Sequence, residues 1–206
     1  MKLGIGSYAY PWAIGIPGNP PARPMTVFDF LDTVAKLGVG LVQICDNLPM
    51  DELSDTDLDR LSRRAKDAGI AIEVGGNGLL PERLERYLSV AVRLGSPILR
   101  MVADRGEYRP APDQIVEIIR RFLPELKRAG VVLAIENHDR FTSSTFGSIF
   151  DQINSPLVGL CLDTVNSFGS LEGPAAVVDR LSGSEMREFR AFASPAILLS
   201  IRQTRC

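Results

Sequence analysis

At 206 residues, 45% hydrophobic and 23% charged, the chain is long enough for one domain with a sizeable core and is not of disordered composition. A formal net charge of -2 and a pI near 5.5 argue against a general nucleic-acid or anionic-membrane binder. Cys45, Cys161 and Cys206 are far apart and lack metal-ligand spacing, so the expected setting is a reducing cytoplasm. No signal-peptide core or bilayer-length apolar run is expected, and so no membrane partner.

In chain order, one unit repeats: a helical pattern, a turn ending in Gly, a buried strand and a polar strand end. The first strand is predicted over residues 2–6. Residues 7–24 form a long loop with Tyr8, Tyr10, Trp12 and five prolines, a composition usual in functional loops. Thr26 caps a helix whose apolar face is Phe28, Leu31, Val34, Ala35 and Leu37. Strand two runs over 39–45 and ends in Asp46 and Asn47; a helix over 55–68 and strand three over 70–74 follow. Helices over 81–94 and 112–129 begin with proline, which suits a first helical turn, and strand four lies between them over 97–102. Strand five covers 131–135, then come a helix over 144–153, strand six over 158–162 and the start of a helix over 174–181.

Strands alternating with helices in this way specify parallel βα units. The predicted units average about 31 residues, and a closed (β/α)8 barrel takes about 250 residues. The fold expected is therefore α/β of the (β/α)8 TIM-barrel type, truncated after about six units: an incomplete barrel domain over 1–181 and a divergent tail over 182–206. In that tail, 184–192 reads as a short helix and 196–201 as a short strand. A natural terminal helix and strand that partly close the sheet is the competing reading.

Strand five carries the first chemistry. Val131 to Ile135 is unbroken apolar sequence, as in a strand covered on both faces, and it ends in Glu136, Asn137, His138 and Asp139. His138 is the only histidine. A carboxylate at the carboxyl end of a parallel strand is a candidate base or metal ligand, or else the ion-pair partner of an arginine such as Arg140. Asp163 closes strand six in GLCLDTVNS, where it could also cap the turn before Thr164. Neighbouring strands lie about 4.8 Å apart, so Glu136 and Asp163 can reach one divalent ion.

Other positions have paired readings. Tyr8 and Trp12 could wall a sugar pocket or anchor the first loop. Asn47 could bond hydroxyls or serve a turn. His138 could touch substrate or support a neighbouring group. Arg100 and Arg105 could meet a phosphate or form salt bridges. Gly75 to Gly78 could cradle a phosphate or be a simple turn, since no P-loop lysine follows. Arg83 and Arg86 read as solvated.

The stretches AIENHDRFTS and VGLCLDTVNS resemble the metal-site motifs of the xylose-isomerase-like TIM barrels, the sugar phosphate isomerase/epimerase family, and VQICDNLP resembles a subset of it. The likeness covers about residues 1–181. It implies a divalent metal (Mn²⁺, Mg²⁺, Co²⁺ or Zn²⁺), with Glu136 as ligand and catalytic glutamate and Asp163 as second ligand. Asn166 falls where many members place a substrate-contacting histidine. The family's further ligands, a histidine on strand seven and a glutamate on strand eight, have no counterpart in this sequence.

The function expected is a metal-dependent sugar or sugar phosphate isomerase/epimerase. It would abstract a proton next to a carbonyl through a metal-stabilised enediolate. With one obvious base, epimerisation should suffer more than isomerisation. The alternative is a catalytically inactive barrel fragment, or a binding and oligomerising module, since an unfinished barrel exposes sheet edges that favour homo-oligomers. The DNA-repair endonuclease branch of the superfamily needs several histidines and a basic groove. A doubly wound dinucleotide binder needs a glycine fingerprint that the first turn lacks.

Overall fold

The structure, a computed structural model, describes residues 3–138, 140–163, 166–173, 175, 177 and 192–194. The first strand, β1 (Ile5–Gly6), leads into a loop holding a short helix, α1 (Pro11–Ile14). Then follow α2 (Val27–Lys36), β2 (Leu41–Ile44), α3 (Asp55–Asp67), β3 (Ala71–Asn77), α4 (Pro81–Leu94) and β4 (Ile98–Val102). The series continues with α5 (Pro112–Ala129), β5 (Val132–Glu136), α6 (Ser143–Ile153) and β6 (Val158–Asp163). A short β7 (Phe192–Ser194) pairs with β6.

Local chemistry sets the helix starts. Thr26 and Asp29 form a reciprocal capping box on α2, with Asp29 N–H donating to Thr26 Oγ1 at 3.2 Å and Thr26 N–H donating to Asp29 Oδ2 at 3.0 Å. Ser54 and Thr142 cap α3 and α6 through their hydroxyls. Proline opens α4 and α5, where its missing N–H costs nothing.

The strands lie in chain order, every adjacent pair parallel. Six βα strands in that order form a half-barrel, the arc of a truncated (β/α)8 barrel. Pleating gives the sheet two unlike faces. The face toward the helices carries Val42, Ile44, Ile72, Val74, Leu99, Met101, Leu133, Ile135, Leu160 and Leu162, all buried in one apolar core with Phe30, Leu58, Leu84, Ile119 and Phe146. The opposite, barrel-interior face carries Gln43, Cys45, Glu73, Arg100, Glu136, Cys161 and Asp163, also buried, beside apolar Leu41, Ile98, Val102, Val132 and Ala134. Residues 131–135 are apolar and buried on both faces of the sheet, as expected of strand five, and Glu136 closes the strand on the inward side.

Several local expectations are corrected. Gly75 and Gly76 belong to β3 and are not a phosphate-cradling turn. A Cβ at Gly76 would lie 2.6–2.8 Å from the Tyr87 ring, so glycine is needed there for α4 to pack on the sheet. Arg83 and Arg86 are not merely solvated. Arg83 pairs with Asp51 at 2.7 Å and donates to the Asn77 carbonyl at 3.0 Å, while Arg86 donates to the Asp51 and Leu53 carbonyls. Together they fasten the β2–α3 loop to α4. Phe192 opens a strand rather than ending a helix. Apart from residues 175, 177 and 192, the helices predicted over 174–181 and 184–192 lie outside the described residues, as does the strand over 196–201.

Candidate active site

The carboxyl ends of the strands surround a cavity of about 800 Å³. From β2 comes Asp46, from β3 Asn77, from β4 Arg100, from β5 Glu136 and from β6 Asp163. In parallel βα folds this is the end where substrates meet catalytic side chains.

Register brings the acids together. Glu136 lies opposite Cys161, so Asp163, two residues on, faces the same interior. Asn137 fixes this edge from the next position. Its amide donates to the Asp163 carbonyl at 2.8 Å, and its Oδ1 accepts from Asp163 N–H at 2.6 Å. Asn166 reaches both carboxylates, its side-chain amide donating to Glu136 Oε1 at 3.2 Å and its backbone N–H to Asp163 Oδ1 at 3.2 Å.

Arg100 is the buried centre of charge. Its guanidinium is ion-paired with Glu136 Oε2, and the two side chains are only 4% and 3% exposed. The guanidinium also reaches Asp46 Oδ1 at 3.3 Å. Asp46 in turn accepts from the Tyr8 hydroxyl and from the Asn77 amide, each at 3.0 Å. A chain of contacts therefore runs from Tyr8 through Asp46 and Arg100 to Glu136 and Asn166.

Burial pushes the Glu136 carboxyl above the usual carboxylate range, against the opposing pull of Arg100, and the Asp163 charge adds to the rise. Burial, with the Asp46 charge behind it, raises the Tyr8 phenol. Burial pushes the Cys45 thiol up to about 11 and raises Cys161 as well, so neither is an activated nucleophile.

Glu136 and Asp163 are hard oxygen donors on adjacent strand ends facing one cavity, a donor set that suits a divalent ion in kind. Both Glu136 oxygens are already engaged, by Arg100 and by Asn166. Among the described residues no group of three His, Cys, Asp or Glu side chains could hold a metal ion.

Of the sequence-predicted site residues, Glu136, Asp163, Tyr8, His138 and Asn166 line the cavity. Trp12 is 65% exposed and does not line it. Asn47 turns toward Ser7, whose hydroxyl donates to Asn47 Oδ1 and accepts from Cys45 N–H at 2.9 Å. The arginine partner considered for Glu136 is Arg100 and not Arg140, which pairs with Asp104 and donates to the Pro110 carbonyl at 2.8 Å. Asp139 lies outside the described residues. Of the two readings given for Arg100 the salt bridge is the one found, but its partners were not foreseen, and Asp46 was read only as the end of strand two. The available signal was a lone arginine inside the apolar strand ILRMV, a charge that needs a buried partner.

A half-barrel of parallel βα units with two carboxylates converging at its strand ends defines a TIM-barrel-type fold with a strand-end acid site. The chain belongs to the xylose isomerase-like TIM barrel family, whose match spans residues 31–191. It is 31% identical over 179 residues to the 3-oxo-isoapionate decarboxylase of Pectobacterium atrosepticum, a match covering 87% of this chain and 64% of that protein's length. Among solved structures, a D-psicose 3-epimerase crystallised in the presence of D-fructose superposes with a TM-score of 0.64 at 21% identity, covering 80% of this chain and 64% of that one. The IOLI protein with a bound zinc atom also superposes with a TM-score of 0.64, at 17% identity, over 93% of this chain and 73% of that one. At these identities the two structures support the fold.

Proposed function

We propose that the protein is a metal-dependent sugar or sugar phosphate isomerase/epimerase working next to a carbonyl carbon. The convergence of Glu136 and Asp163 on one cavity carries this reading. Glu136 and Asp163 would hold the divalent ion, and the ion would stabilise negative charge developing on the substrate oxygens.

The chain's own residues account for the proton. The Glu136 carboxylate takes the proton from the carbon next to the carbonyl. The C–H electron pair moves into the carbon framework and the carbonyl oxygen becomes the enediolate oxygen. The hydroxyl proton of the deprotonated carbon passes to the former carbonyl oxygen, and return of the carbon-bound proton to the former carbonyl carbon gives the isomer. Burial raises the Glu136 carboxyl toward the working range of a general base. Arg100 acts as a positioning residue by holding that carboxylate in place. Asn166 links Glu136 to Asp163, and His138 and Tyr8 face the cavity as substrate contacts.

The identity to a 3-oxo-isoapionate decarboxylase favours a second reading. Loss of CO₂ from a 3-oxo acid leaves its C–C electron pair as an enolate, and Glu136 in its acid form would return the proton. Both reactions use one proton-carrying group beside a stabilised enolate.

Proton exchange in D₂O followed by NMR tests the first reading, with D-fructose and D-psicose as probes. Release of CO₂ from 3-oxo-isoapionate tests the second. Glu136→Gln should lower whichever activity is found by about 10²–10⁴-fold. Absence of both activities in metal-supplemented protein would overturn the proposal in favour of a binding or oligomerising module.

A further inference from the structure

The cavity's charge is unevenly distributed. Four arginines line it: Arg100, Arg105, Arg109 and Arg140. Arg100 is discharged against Glu136 and Asp46, and Arg140 against Asp104. Arg105 and Arg109 also line the cavity, yet among the described residues neither makes an ion pair or a side-chain hydrogen bond. Positive charge is therefore uncompensated on the side after β4, facing the strand-end acids of β5 and β6. Glu107 lies between these two arginines in sequence but is not part of the cavity wall.

The loop that presents them is built. Arg105 and Tyr108 exchange two backbone hydrogen bonds of 2.9 Å, with Gly106 in the left-handed region (φ 55°) at the turn. The Tyr108 hydroxyl donates to the Leu79 carbonyl at 3.1 Å, tying the loop to the turn before α4. The stem of Arg105 lies on the backbone at Gly78, where a Cβ would be 2.9 Å from Arg105 Cβ. Backbone hydrogen bonds from Gly78 and Leu79 to the Val102 and Ala103 carbonyls hold that turn against the end of β4. Arg105 is thus carried by a pinned turn at the mouth of a cavity whose other side holds acids, and Arg109 follows that turn directly after Tyr108.

We infer that Arg105 and Arg109 form an oxyanion-binding subsite that selects substrates carrying a carboxylate or phosphate on a short polyhydroxy chain, with the anionic end at the β4 loop and the reacting carbonyl at Glu136. The inference rests on reading the cavity as the sugar site. Guanidiniums suit either group because their forked N–H donors match planar or tetrahedral oxyanions. A volume of about 800 Å³ accommodates such a ligand.

The test measures binding by calorimetry, using D-erythronate, D-erythritol 4-phosphate and neutral erythritol as probes. The full chain is compared with Arg105→Gln, Arg109→Gln and the double variant. A charge-matched control, Arg121→Gln with Arg128→Gln, removes two exposed arginines of α5 remote from the cavity. One or both anions should bind better than erythritol. Each cavity substitution should weaken that binding by about tenfold or more, added salt should weaken it further, and the control should leave it unchanged. The tighter of the two anions identifies the group. Equal affinity for erythritol and the anions, or anion binding unchanged in the double variant, would overturn the subsite. Anion binding lost with the two arginines, but with no exchange or CO₂ release, would leave the subsite standing and remove the proposed reaction. Turnover of a neutral ketose at unchanged kcat/KM in the double variant would do the reverse.

Discussion

The two faces of this sheet divide the molecule's work. The outward face is a continuous layer of aliphatic side chains sealed by the helices, and its worth is hydrophobic burial. The inward face is equally buried yet holds Gln43, Glu73, Arg100, Glu136 and Asp163. Burying charges costs free energy unless they are paired, so the inward face is held by specific partners rather than by area. A single strand serves both ends: Leu99 and Met101 point to the helices, while Arg100 between them reaches the site.

The sharpest way to break this division is Arg100→Ala. It leaves Glu136 buried without its counter-ion, and the expected loss is about 3–5 kcal/mol in denaturant unfolding. Adding Glu136→Gln should return part of that loss, because the stranded charge is gone. Equal stability of the single and double variants would mean that the pair is not what holds the inward face.

Leu133→Ala probes the other face. Leu133 is fully buried in the core, and truncation should cost about 2–5 kcal/mol. No second substitution on the inward face should restore it, since the loss is packing and not charge. Combining Arg100→Ala with Leu133→Ala measures how far the faces are independent, because independent faces give a loss equal to the sum of the two.

The smallest effect is expected at Glu73. It is buried on β3 with one side-chain hydrogen bond, from the Gln43 amide at 3.3 Å. Burial raises its carboxyl above the ordinary value. A raised folded-state value means that the folded protein binds the proton more readily than the unfolded chain. Ionised Glu73 therefore weakens the fold above its folded value. Stability grows as pH falls through that value and levels off below the unfolded one. Glu73→Gln should raise the melting temperature at neutral pH and reduce its gain on acidification. A lower melting temperature at neutral pH would show that the ionised carboxylate is supporting the interior.

The element pattern was legible because helices and outward strand positions obey local periodicity. The helix over 112–129 was placed to the residue, and its Ile115, Ile119, Phe122 and Leu126 are buried while Ile118 is partly so. Glu136 and Asp163 were legible because they end apolar runs. What local patterns did not show was which partners Arg100 would meet. Arg100 looks like a stray charge in ILRMV until β4 lies between Asp46 and Glu136. Gly75 and Gly76 look like a turn until Tyr87 is seen to fill the space beside Gly76. Asn47 and Trp12 carry suitable chemistry, but Asn47 is engaged by Ser7 and neither lines the cavity.

The most direct test of the site is a Mn²⁺ titration of the purified chain, with free ion followed by electron paramagnetic resonance. The near-isosteric Glu136→Gln and Asp163→Asn serve as comparisons. The account predicts one saturable site, lost or greatly weakened in both variants. No saturable site, or one that survives both substitutions, would contradict the claim that these two strand-end carboxylates share a divalent ion.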